Sequence, residues 1–117
     1  RRTAAQLERA EADGMKKAVL ALLPVYDDLA RALDAPCTDE AYYHGVELLM
    51  QKLLARLDGL GVVPMDSLGK CFNPDYHEAV EHVEDPARRQ EEIVQVIQTG
   101  FTMDEAVIRH AKVVVAN

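Results

Sequence analysis

A chain of 117 residues is about one domain long, and 49% hydrophobic content is enough to build a core, although 5% aromatic residues and no Trp make that core aliphatic. A formal net charge of −7 argues against nucleic acid, whose phosphates require clustered Lys and Arg, and against an anionic membrane surface. The two cysteines, Cys37 and Cys71, stand far apart without CxxC spacing and read as reduced cytosolic thiols rather than a disulfide framework.

The chain opens Arg1-Arg2-Thr3, without Met and inside a charged helical pattern, so further residues are expected upstream. No signal peptide and no apolar run of transmembrane length is visible. From 4 to 34 the sequence predicts helix. Leu7, Met15, Ala18, Leu22, Val25, Leu29 and Ala32 recur at threes and fours, the period of one helical face. Val19, Leu23, Tyr26 and Leu33 widen that face. Opposite charges four apart, at Arg9 and Asp13, Asp13 and Lys17, and Asp27 and Arg31, each support an exposed helix by about 0.2–0.5 kcal/mol. Gly14 weakens the helix, and Pro24 removes a backbone donor, so two helical segments are expected.

Asp34-Ala35-Pro36-Cys37 is a short connection, after which Thr38 is the expected N-cap, with Asp39 and Glu40 favourably placed for the helix dipole. The second helix carries Val46, Leu49, Leu53, Leu57 and Leu60 on one stripe, flanked by Leu48, Met50 and Leu54. It should stop at Gly59 or Gly61, ahead of Pro64. Beyond Pro64 the period changes. Cys71-Phe72-Asn73-Pro74-Asp75 is turn chemistry, and 77–83 reads as strand, with one helical turn at 76–80 as the alternative. A polar loop over 85–92 leads to a strand at 93–98, and Thr99-Gly100 turns into Phe101-Thr102-Met103. Asp104-Glu105 turns again, and Val-rich strands over 107–115 close the domain.

Two helices joined by a short loop cover only the faces they turn toward each other. Large side chains left in water forgo about 1.5–3 kcal/mol each, a heavy loss for a small domain. Two chains forming one four-helix bundle resolve this, so a homodimer is expected. The fold expected is α+β: a long N-terminal helix and helical hairpin, dimerising as a four-helix bundle over 1–62, then a small all-β domain over 63–117.

Catalytic patterns are weak. His77-Glu78 followed by His82 resembles HExxH, but its histidines lie five apart rather than four. Cys71 and His77 could supply soft ligands, but nothing completes a zinc set at familiar spacing. No GxSxG elbow, Walker loop or GxGxxG run occurs. Adjacent acids at Asp27-Asp28 and Glu91-Glu92 read as solvated surface. No cofactor is implied, and the chain reads as an interaction protein rather than an enzyme.

Three stretches resemble the GrpE family of nucleotide exchange factors for DnaK-type chaperones. The first runs from Leu22-Leu23-Pro24-Val25-Tyr26-Asp27-Asp28-Leu29 through Arg31-Ala32-Leu33. The second is Gly45-Val46-Glu47-Leu48, a Leu-rich helix and Gly61-Val62. The third begins at Leu68-Gly69 and runs through Phe72-Asn73-Pro74-Asp75-Tyr76-His77-Glu78-Ala79-Val80, then Gln98-Thr99-Gly100-Phe101, then Ile108-Arg109-His110-Ala111 to Val115. Order and spacing match along essentially the whole chain. The resemblance implies a parallel dimer of long paired helices with a β-domain on each protomer, acting in the cytoplasm in protein folding and stress response. It also implies the mechanism: one β-domain presses on a lobe of the chaperone's ATPase domain and holds the nucleotide cleft open, so ADP leaves.

Position by position, Phe72, Pro74, Ile97 and Val115 align with apolar β-domain positions that in the family face the chaperone; core packing is the alternative for each. Gly45 aligns with a family glycine important for the complex, with helix packing as the alternative. Arg9 aligns loosely with a basic long-helix contact, and its alternative is an exposed ion pair. Arg109 matches the family's Arg before the last strand, as a contact or a structural pairing. Asp104-Glu105-Ala106 replaces a usual Asn-x-Arg, Lys112 a usual Met or Val, and Cys71 a usual Pro. The reading from another class is a dimeric adaptor whose β-domain binds some other protein; a third is a metal-dependent enzyme on Cys71, His77 and His82.

Overall fold

The computed structural model describes residues 3–117. Arg1 and Arg2, where continuation upstream is expected, lie outside the described residues. Two compact units divide the chain, one ending at Ala55 and the other running Arg56–Asn117.

The first unit is helical. Helix α1 spans Ala4–Asp34, and Thr3 caps it reciprocally: the Thr3 hydroxyl accepts from the Gln6 N–H at 3.2 Å, and the Gln6 Oε1 accepts from the Thr3 N–H at 2.8 Å. Contrary to expectation the helix runs through Pro24 as one element. Pro24 is exposed, so the carbonyl it leaves unbonded a turn earlier can be solvated, while Val19 and Leu23 are buried ahead of it.

Helix α2 spans Glu40–Asp58. Its cap is Asp39 and not Thr38: the Asp39 Oδ1 accepts from the Tyr42 N–H at 3.1 Å, and its carbonyl accepts from the Tyr43 N–H at 3.0 Å. A carboxylate three residues from the donor reaches the first-turn amides and also carries the charge the helix N-terminus favours.

Burial redistributes the apolar faces. In the helical unit Val19 and Leu23 are 2% and 1% exposed, and Met50 is also buried. These come from the residues that widen the predicted stripes. The stripes themselves stay largely in water, with Leu7, Met15, Leu22, Val25 and Leu49 all exposed.

The second unit holds two three-stranded sheets. Strands β1 (Val62–Pro64), β4 (Phe101–Met103) and β5 (Ala106–Arg109) form one, in the order β1-β4-β5 and antiparallel throughout. Strands β2 (His77–Val83), β6 (Ala111–Ala116) and β3 (Glu92–Gln98) form the other, with β6 central, parallel to β2 and antiparallel to β3. The strand reading therefore holds over His77–Val83, and Tyr76 stays in the turn before it. A central strand is buried on both faces, which explains why β6 is a run of Val and Ala with only Lys112 exposed. Ile93, Ala111, Val113 and Val115 form its core, with Met65, Phe72, Ala79 and Val96 packed against them.

Candidate functional site

The turn between β1 and β2 is built on Asn73. Its carbonyl accepts from the N–H groups of Tyr76 at 3.0 Å and His77 at 2.8 Å, and its Oδ1 accepts from the Asp75 N–H at 2.9 Å. Its own N–H donates to His77 Nδ1 at 2.9 Å. This is an Asx turn: the Asn73 side-chain oxygen accepts from the backbone N–H two residues on, and Pro74 supplies the fixed φ that such a turn uses. Phe72 is half-buried, packed on the core, with its ring centroid 5.9 Å from that of His77. Pro74 is exposed at the crest of the turn. Burial lowers the His77 pKa, and the neighbouring His110 lowers it further.

Ile97 is 55% exposed on β3. It sits where the register with β6 shifts between Val96 and Gln98, and Val80, also exposed, sits at a matching shift between Ala79 and Glu81 on β2. A bulge re-aims one side chain out of the regular pleat. The two strands flanking β6 thus each present an aliphatic side chain to solvent.

Arg109 donates from Nε and Nη2 to the Thr99 carbonyl at 3.0 and 2.6 Å, and its guanidinium carbon lies 5.4 Å from the Phe101 ring centroid. It braces the turn that follows Ile97. Val115, 1% exposed, is a core residue. Gly45 and Arg9 belong to the other unit, each exposed on its helix, and a Cβ placed at Gly45 would meet nothing within 4 Å. Phe72, Pro74 and Val115 therefore gather around one turn and its underlying core, while Ile97 and Arg109 mark the β3–β4 end.

Two features escaped the sequence reading. His77 acts as the acceptor that closes the Asn73 turn; an Asn-Pro pair followed four residues later by His is its only sequence signal. Glu92, expected to be solvated like Glu91, is 8% exposed. Its carboxylate accepts from Arg88 Nη1 at 3.0 Å and Arg89 Nε at 3.1 Å, while Arg89 Nη2 donates to the Gly69 carbonyl at 2.6 Å. The Arg89 hydrogen bond is the main reason the Glu92 pKa is lowered, opposed by desolvation and reinforced by Arg88. Among the described residues no group of three or more His, Cys, Asp and Glu is placed to hold a metal ion, and no helix is long and apolar enough to cross a membrane.

Two long helices followed by two three-stranded sheets define the class: an α+β protein. The GrpE family model matches residues 1–117. Similar proteins include Protein GrpE of Chlorobium luteolum, 38% identical over 81% of this chain and 52% of the relative. Protein GrpE of Clostridium acetobutylicum is 35% identical over 99% of this chain and 58% of the relative. Protein GrpE of Bacteroides fragilis strain YCH46 is 40% identical over 88% and 55%. This chain belongs to the GrpE family. It spans about half the length of the curated relatives it matches.

Proposed function

We propose that this chain is a nucleotide exchange factor, a co-chaperone that binds the ATPase domain of a DnaK-type chaperone and releases its ADP. The observation that carries the reading is the family match over residues 1–117. The protein works in the cytoplasm as a homodimer, without a cofactor and without catalysing a bond change itself. Residues 1–62 serve dimerisation and 63–117 serve the chaperone. The dimer is supported by Leu7, Met15, Leu22, Val25 and Leu49, which the chain alone leaves exposed. A second copy would cover them, at about 1.5–3 kcal/mol for each large side chain fully removed from water.

The contact surface proposed on the β-domain is Phe72, Pro74 and Ile97, with Val115 supporting Phe72 from the core and Arg109 bracing the turn beyond Ile97. Gly45 and Arg9 are the helical contacts. Gly45 suits a contact because its open surface admits another backbone closely.

The mechanism is linkage. A protein that prefers the open cleft shifts the chaperone toward it by no more than its differential affinity, and nucleotide must weaken its grip by the same factor. Titrating the ATPase domain with this chain, with and without ADP, tests that reciprocity. The expected result is weaker binding in ADP; equal affinities contradict the mechanism.

A further inference from the structure

His77 stands half-buried between two rings, 5.9 Å from Phe72 and 6.2 Å from Tyr76 by centroid, at the start of β2. Its Nδ1 accepts the Asn73 N–H at 2.9 Å, which places its own proton on Nε2. Only the neutral ring can do this. Protonation puts a hydrogen on Nδ1 and turns the acceptor into a donor facing the Asn73 N–H. That amide lies between Phe72 and Pro74, so losing its partner acts on both.

We infer that His77 is the positioning residue of the Phe72–Pro74 turn: unprotonated, it holds the turn in the geometry that meets a partner, and protonated, it releases the turn and weakens binding. The inference rests on the proposed contact role of Phe72 and Pro74. The titratable groups that face the ring are His110, which precedes β6, and Tyr76 on its own segment; Glu78 and its register partner Lys112 lie one residue along their strands, on the opposite face of the sheet. His110 opposes a second positive charge at His77. Burial opposes it more strongly, so the turn stays closed at neutral pH and opens below the ordinary histidine range.

The test follows the Asn73 amide, the Phe72 ring and the His77 imidazole by NMR from neutral pH down through the His77 transition, which lies below that of an ordinary histidine. In the same range it measures affinity for a DnaK-type ATPase domain. In the natural chain the Asn73 and Phe72 signals should move together with His77 protonation. Affinity should fall roughly two- to tenfold over the same interval, the worth of one net hydrogen bond. His77→Asn, whose Oδ1 replaces the Nδ1 acceptor but cannot take the proton, should keep the closed turn and bind without that fall. His77→Ala should show the open turn at every pH. His110→Asn, which removes the repulsion, should move the transition to higher pH.

Asn73 and Phe72 signals that stay fixed while His77 titrates overturn the inference, as does a closed turn in His77→Ala. A turn that follows His77 while affinity stays level overturns the partner side of it, and with it Phe72 and Pro74 as contacts. Absence of binding at every pH, neutral included, overturns the proposed function instead.

Discussion

Gly100 is buried where an added Cβ would lie 2.5 Å from the Ala111 N, 2.6 Å from the Met65 sulfur and 2.9 Å from the Arg109 carbonyl oxygen. Two of these neighbours are backbone and cannot swing aside. Gly100→Ala should therefore destabilise the β-domain by about 1–3 kcal/mol, the usual cost of overpacking, read from urea unfolding. Glu92 makes a different prediction. Its folded pKa is below the unfolded value, so its stabilisation is complete above the unfolded value and disappears as pH falls through the folded one. Glu92→Gln should be less stable than the natural chain at neutral pH, and the difference should shrink in acid. A stability gap that does not change with pH contradicts the clamp. Glu91 and Glu92 are indistinguishable as sequence. Their different fates depend on Arg88 and Arg89 folding back across the loop and on Gly69, a contact of 20 residues' separation that no local pattern reveals. His77 was equally hidden, because its role depends on the direction of one ring nitrogen.

At the scale of elements, α2 offers the clearest case. Gly45 is helical, its φ is not positive, and a Cβ there meets nothing. Gly45→Ala should raise helical stability by about 1 kcal/mol through helix propensity. Gly45→Asp should leave the fold intact by circular dichroism and still weaken nucleotide exchange; unchanged exchange would remove Gly45 from the contact surface. Both helices were legible because a period of threes and fours persists over several turns. Strands β2, β3 and β6 were legible from their Val and Ile content and from the turns around them. The three-residue strand β1 was not: Val62–Pro64 is too short for a period and ends in Pro, and it exists because it pairs with β4 about forty residues on. Pro24 misled in the opposite direction. Local chemistry predicts a break, but the helix runs on through exposed Pro24, with Val19 and Leu23 buried ahead of it.

The whole molecule carries more apolar helix surface than it hides. The sequence made this excess visible, but it did not show which stripe the chain covers itself. Amphipathic periodicity marks a wide face, and only packing divides it into Val19 and Leu23 inside, Leu22 and Val25 outside. Because Leu22 and Val25 lie outside, the double variant Leu22→Asp, Val25→Asp should leave Val19 and Leu23 packed. It should also halve the mass seen in sedimentation at micromolar concentration; a natural chain that sediments as a compact monomer contradicts the dimer. The β-domain is a separate unit with its own core and leaves Pro74 and Ile97 exposed.

Release of a fluorescent ADP analogue from a DnaK-type chaperone is the most direct measurement. Added in excess over the chaperone, this chain should accelerate release in proportion to complex formed, and Gly45→Asp should accelerate it less. A release rate unchanged at concentrations where the chain is demonstrably bound would contradict the account.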